Sequence, residues 1–179
     1  LQIQPDFRIA HANIAGVLAS QGKTRDAIDH YCVATAEDQS DLASLINLGD
    51  CYLEVKDPEK ALVAYDRAVR IEEHRAYGSD NYAVGSRQHA RMFSHDWSDY
   101  QRQCETIKNR ALDGLMCAQP FTVLSLFDDP RAHRALAETI IRRRHWHQSN
   151  DGCASLLARR PINSHPIRIG YFSADFKDH

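Results

Sequence analysis

The run RIAHANIAGVLASQGKTRDAIDHYCVATAEDQSD, residues 8–41, is followed without a gap by LASLINLGDCYLEVKDPEKALVAYDRAVRIEEHR, residues 42–75, and the two are one pattern written twice. A shift of 34 positions places Asn13 on Asn47, Ile14 on Leu48, Leu18 on Tyr52, Gly22 on Lys56, Ala27 on Ala61, Tyr31 on Tyr65 and Ala34 on Ala68. Self-similarity at such a period marks a stacked architecture, in which each unit buries an apolar face on its neighbour. Within each block the apolar spacing predicts two antiparallel helices. They are joined by a turn, at Gln21-Gly22-Lys23 in the first block and Lys56-Asp57-Pro58 in the second. Ala27 and Ala61 let the paired helices approach closely, and Tyr31 and Tyr65 fill the space beside them.

The period, the small residue and the aromatic four positions later resemble the tetratricopeptide repeat. The resemblance implies a mainly α fold, a superhelix of stacked hairpins whose first helices line the inner curve. Asn13 and Asn47 hold equivalent places near that face. An amide there offers both a donor and an acceptor to an extended peptide backbone, whatever its side chains. The alternative is a pair of polar residues that satisfy neighbouring helix ends, and the spacing does not choose between them. Leu1 to Phe7 reads as the tail of a preceding repeat, because Pro5 falls where the pattern places its closing proline.

With 43% hydrophobic and 26% charged residues over 179 positions, the composition is ordinary for a globular protein. No apolar run approaches the ~20 residues of a membrane-spanning helix, and the N-terminus lacks the basic start and apolar stretch of a signal peptide. A net charge of -2 gives no electrostatic basis for binding nucleic acid. The five cysteines, Cys32, Cys51, Cys104, Cys117 and Cys153, show no C-x-x-C spacing. They read as reduced thiols, Cys32 and Cys51 as small packing residues on the repeats, in a cytoplasmic protein. The nine histidines other than His179, His145 and His147 around Trp146 among them, show no metal-ligand spacing, so no metal site is expected.

Beyond Arg75 the register fails: His95, Asp99 and Arg102 occupy the places of the small, aromatic and small residues. A helical connector is expected over 76–166. Ser79 or Asp80 caps a helix to about Ser94 that is polar for a core element. A second helix opens at Asp96-Trp97-Ser98-Asp99-Tyr100, with Tyr100, Cys104, Ile107, Ala111 and Leu115 in one apolar row that shields the last repeat. Gln119-Pro120 ends it, and Phe121 to Phe127 is left open as loop, helical turn or strand. Asp129-Pro130 starts a helix with Ala132, Leu136, Ile140 and Ile141 inward. Its closing Arg142-Arg143-Arg144 complements the helix dipole. A linker follows over 148–166. Ile167, Ile169 and Tyr171 then alternate with Arg168, Gly170 and Phe172 as a β-strand, whose sheet partners are expected downstream of His179.

The repeats with Asn13 and Asn47, the string HDWSDY at 95–100 and IRIGYFSADFKDH at 167–179 together resemble the bacterial relatives of the O-linked N-acetylglucosamine transferases, a group that includes the plant SPINDLY proteins. The resemblance covers nearly the whole chain. It implies repeats over 1–75, a connector over 76–166, and the opening of a two-lobed GT-B glycosyltransferase at 167–179. The implied activity is transfer of a sugar, typically N-acetylglucosamine from its UDP donor, to serine or threonine of a protein, with inversion and without an obligatory metal; fucose or glucose as the sugar stays open. No cofactor is implied for this part; the UDP-sugar belongs to the whole enzyme. An acceptor protein or extended peptide would lie along Asn13 and Asn47, while Ser86 stands where the asparagine row would next fall. Oligomerisation through the repeats is open. The family's motif histidine falls on His179, the candidate catalytic residue, and the physics of its place agrees: it follows a strand end, where open α/β sheets bind ligands. A neutral imidazole there accepts a hydroxyl proton, donates to a phosphate, or caps the next helix. The rival from another class is a repeat scaffold without catalysis.

Overall fold

The computed structural model describes residues 7–36, 41–74 and 81–145. The described residues are mainly helical and contain no strand: α1 (Phe7–Ser20), α2 (Thr24–Ala34), α3 (Leu42–Glu54), α4 (Pro58–His74), α5 (Ala83–Phe93), α6 (Tyr100–Leu112), α7 (Pro120–Leu124) and α8 (Pro130–His145). The chain divides into two compact units, Leu1–Arg143 and Arg144–His179, and the account below concerns the first. The N-terminal tail, the caps expected at Ser79 or Asp80, Cys153, the linker at 148–166, the strand at 167–172 and His179 all lie outside the described residues.

The two 34-residue blocks fold as consecutive helical hairpins, α1 on α2 and α3 on α4, with α2 also packed on α3. The small residues sit where close approach needs them: Ala27, Ala61 and Ala68 are all fully buried. Tyr31 and Tyr65 are buried beside them, and the Tyr65 hydroxyl donates to Asp50 Oδ1 at 2.6 Å. Ala15, Ala27, Tyr31, Leu48, Cys51 and Ala64 form one apolar cluster across the hairpins. A larger cluster runs from Leu42 in α3 to Ile140 in α8.

Four helices end in the same way. Gly22, Lys56, His95 and Gly114 carry φ of 74°, 63°, 56° and 75°. In each case the next amide reaches back to the carbonyl five residues earlier: Lys23 to Leu18, Asp57 to Tyr52, Asp96 to Arg91 and Leu115 to Arg110, at 2.9–3.0 Å. This is the left-handed C-terminal cap that satisfies orphaned carbonyls.

That recurrence revises the reading of the chain beyond Arg75. Lys56 follows Gly22 by 34 positions and His95 follows Lys56 by 39, so a third helical hairpin, α5 and α6, is present with its spacing stretched. The turn itself is longer too, since α6 starts five positions after His95 where α2 and α4 start two after Gly22 and Lys56, and this turn, 94–99, is built around Asp96. Its carboxylate accepts from the Ser98 amide at 3.0 Å, from the Ser98 hydroxyl and from Arg91 Nε at 2.8 Å. The Ser98 hydroxyl and then Arg91 hold the Asp96 pKa down, at about 2.

Other expectations change with it. The helix expected from Ser79 or Asp80 begins only at Ala83, whose amide is accepted by Asn81 Oδ1 at 2.8 Å. The element that looked too polar for a core is α5, and its Ala83, Val84, Gly85, Ser86, Gln88 and Ala90 are all buried. It is α5, rather than the helix after it, that covers α4 most extensively. Cys104, Ile107 and Ala111 are buried on α6 as expected, but Leu115 lies past the helix end. The stretch 121–127 resolves into the single turn α7 with Val123 and Leu126 buried. Asp129 caps α8, accepting from the amides of Arg131 and Ala132. Ala132, Leu136 and Ile140 point inward, whereas Ile141 is 60% exposed because the buried row follows a spacing of four.

Candidate functional site

Asn13 and Asn47 lie at equivalent positions on α1 and α3, and both are exposed. Each is carried by a helix whose other side is anchored: Ala15 beside Asn13 and Leu48 beside Asn47 are buried, which turns the amides away from the hairpin interior. The Asn47 side chain lies beside the Tyr31 hydroxyl of the preceding hairpin. Burial is the main influence on Tyr31 and raises its pKa, while the Asn47 side chain opposes the rise.

Beside Asn47 opens a cleft of ≈ 420 Å³. Leu42, Ala43, Ile46, Asn47 and Asp41 form one wall from α3, and Asn81, Tyr82 and Met116 face them. The wall is rigid on both sides. Asp41 Oδ2 caps α3 by accepting from the Ser44 amide at 2.9 Å, and the Asn81 amide donates to the Met116 carbonyl at 2.8 Å. The lining joins apolar side chains to the exposed amide of Asn47 and the Asp41 carboxylate.

Asn81 brings a second asparagine to the cleft from outside the helical register, since the end of α5 at His95 makes Ser86 the residue of that helix equivalent to Asn47. It stands 34 positions after Asn47, a placement that a strict count by the period would have found. Its role differs, since it is buried and spends its carbonyl on capping α5. Ser86, where the row was sought, is buried. The cleft therefore gathers Asn47 and Asn81, with Asn13 one hairpin away on the equivalent helix.

The thiols divide by position. Burial pushes the Cys51 and Cys117 pKa values up to about 11, so both stay protonated and act as small packing groups. Cys32, expected to pack, is exposed, with Sγ 3.4 Å from the Tyr52 hydroxyl. Among the described residues no three or more of His, Cys, Asp and Glu converge as a metal site, and no helix is long and apolar enough to cross a membrane. The candidate catalytic residue His179 lies outside the described residues. In comparison with known proteins, no family model matches the chain and no curated protein matches it.

Proposed function

We propose that this chain is the acceptor-binding region of a protein O-glycosyltransferase, with its hairpins stacked as tetratricopeptide repeats. The acceptor is an extended segment of polypeptide bearing serine or threonine, and the donor is a nucleotide sugar, UDP-N-acetylglucosamine. The observation that carries this reading is one amide presented twice: Asn13 and Asn47, exposed at the same place on successive first helices. A side chain that both donates and accepts can hold a peptide backbone without reading its sequence, which is what a transferase with many acceptors requires. The terminal string at 167–179, which resembles the opening of a GT-B lobe, supports the enzymatic half of the proposal. His179 is its catalytic residue, placed to accept the hydroxyl proton or to hold the donor phosphate.

The test is sugar transfer by a protein carrying this chain and its catalytic lobes. Asn13→Ala with Asn47→Ala is expected to raise the acceptor KM about tenfold, the equivalent of about 1.4 kcal/mol of binding, with the donor KM unchanged. His179→Ala is expected to lower kcat by about 10²-fold or more. An unchanged acceptor KM would reject the amide pair as the acceptor site. If peptide binding persists while no nucleotide sugar is turned over, the reading left is the repeat scaffold that assembles partners, which the all-helical character of the described residues also fits.

A further inference from the structure

His11 on α1 and His30 on α2 meet across the first hairpin with their Nδ1 atoms 2.9 Å apart and ring centroids 4.8 Å apart. The repeat does not demand them. Thirty-four positions on, the equivalents are Leu45 and Ala64, both buried and apolar. Where the second hairpin places hydrocarbon between its helices, the first places two half-buried imidazoles. Their backbones are held by the packing of Ala15 and Ala27, and Phe7 lies against His11 at 5.7 Å between ring centroids.

Two neutral imidazoles facing through Nδ1 share one N–H in one state of the pair. In another, each nitrogen has a free lone pair and the two serve as neighbouring ligands. Metal–imidazole bonds of ~2.0–2.1 Å set between square-planar and tetrahedral angles separate the nitrogens by about 2.9–3.4 Å, and the observed spacing lies at the short edge of that range. We propose that His11 and His30 form a two-imidazole site for a divalent transition ion of the zinc and copper class, bridging α1 and α2. No third His, Cys, Asp or Glu joins the pair among the described residues, so solvent completes the coordination. Such an open site binds weakly and exchangeably, unlike a closed four-ligand structural zinc. The ion binds the packed hairpin in preference to separated helices, so it stabilises that hairpin by mass action.

Zinc chloride titrated into the full chain tests the site, read by calorimetric binding and by thermal unfolding. One zinc is expected to bind and to raise the unfolding temperature, and EDTA is expected to reverse the rise. His11→Leu with His30→Ala installs the apolar pair of the second hairpin, so it is expected to unfold cooperatively while losing the zinc-dependent rise. His30→Ala alone is expected to weaken binding about tenfold or more. A rise of equal size in the double variant would assign the zinc to other histidines and overturn the proposal. Absence of zinc binding by the unaltered chain would also overturn it, leaving a plain imidazole–imidazole hydrogen bond.

Discussion

A methyl group is too large for the space beside Gly85. A Cβ there would lie 2.2 Å from Ala118 Cβ, 2.7 Å from Ala118 Cα and 2.8 Å from the Cys117 carbonyl, which also accepts the Gly85 amide at 2.9 Å. Two of those atoms are backbone and cannot step aside, so Gly85→Ala is expected to cost about 3 kcal/mol or more in chemical denaturation. Gly49 makes the informative comparison. Its Cβ would meet the Tyr65 ring at 2.5 Å, yet the equivalent residue of the first hairpin is Ala15, fully buried beneath Tyr31. A hairpin of this kind can therefore accommodate the methyl, and Gly49→Ala is expected to cost only about 1–2 kcal/mol. Equal losses at the two sites would mean that the approach of 117–118 to α5 is no closer than that of Tyr65 to α3. Asp50 supplies a pH dependence at the same scale. Burial raises its pKa, against the opposing hydrogen bond from Tyr65. Between the ordinary carboxylate value and the raised one, the folded chain binds more protons than the unfolded chain, so this residue's contribution declines as pH rises through that window. Asp50→Asn keeps an acceptor for Tyr65 without the charge. Its stability relative to the unaltered chain is expected to improve as pH rises above the ordinary carboxylate value, measured as the difference in urea midpoints.

At the level of single elements, helix ends decide more than helix interiors. Gly22, Lys56 and His95 all adopt left-handed conformations at the close of a first helix, but only glycine does so without steric cost. Gly22→Ala is expected to cost about 1 kcal/mol. Lys56→Gly is expected to gain about 0.5 kcal/mol, the relief of strain less the added freedom of the unfolded chain, as a rise in urea midpoint. This is also where the sequence was half legible. The alignment of Gly22 with Lys56 exposed the shared turn, yet a lysine does not signal a left-handed residue and a histidine does so far less than glycine, so the third hairpin, whose first helix closes at His95, passed for a break in the pattern. The polarity of α5 misled for a related reason. Gln88 is 1% exposed and neither end of its amide has a protein partner, a local cost that composition alone reads as an outward-facing helix. Gln88→Met preserves volume and removes both orphaned atoms, so it is expected to stabilise the fold by about 1–2 kcal/mol. Destabilisation by a similar amount would show that the amide is satisfied within the fold.

Across the first compact unit, the question is whether the break in the sequence at Arg75 is also a break in cooperativity. The period ends there, and the sequence accordingly suggested a boundary. The packing does not respect it. One apolar cluster takes in Tyr65 and Val69 from α4, Val84 and Ala90 from α5, Ile107 from α6 and Leu136 from α8. Across the same place runs an ion pair, Arg110 Nη1 to Glu72 Oε1 at 2.7 Å, with side chains only 13% and 3% exposed. What made the connection invisible beforehand is that it is long-range: Glu72 and Arg110 sit 38 positions apart, on elements whose own periodicities do not refer to each other. A charge pair this deep is worth little against a hydrophobic replacement, but removing one member strands the other. Arg110→Met alone is expected to cost about 3–5 kcal/mol, whereas Glu72→Met combined with Arg110→Met is expected to recover most of that loss. Amide hydrogen exchange resolves the consequence by element. If α3 to α6 and α8 open together, Arg110→Met lowers their protection by the same free energy, while amides of α1 and α2, whose contacts belong to the separate cluster around Ala27 and Tyr31, change less. Loss of protection confined to α6 would instead place the cooperative boundary at 75, where the repeat stops.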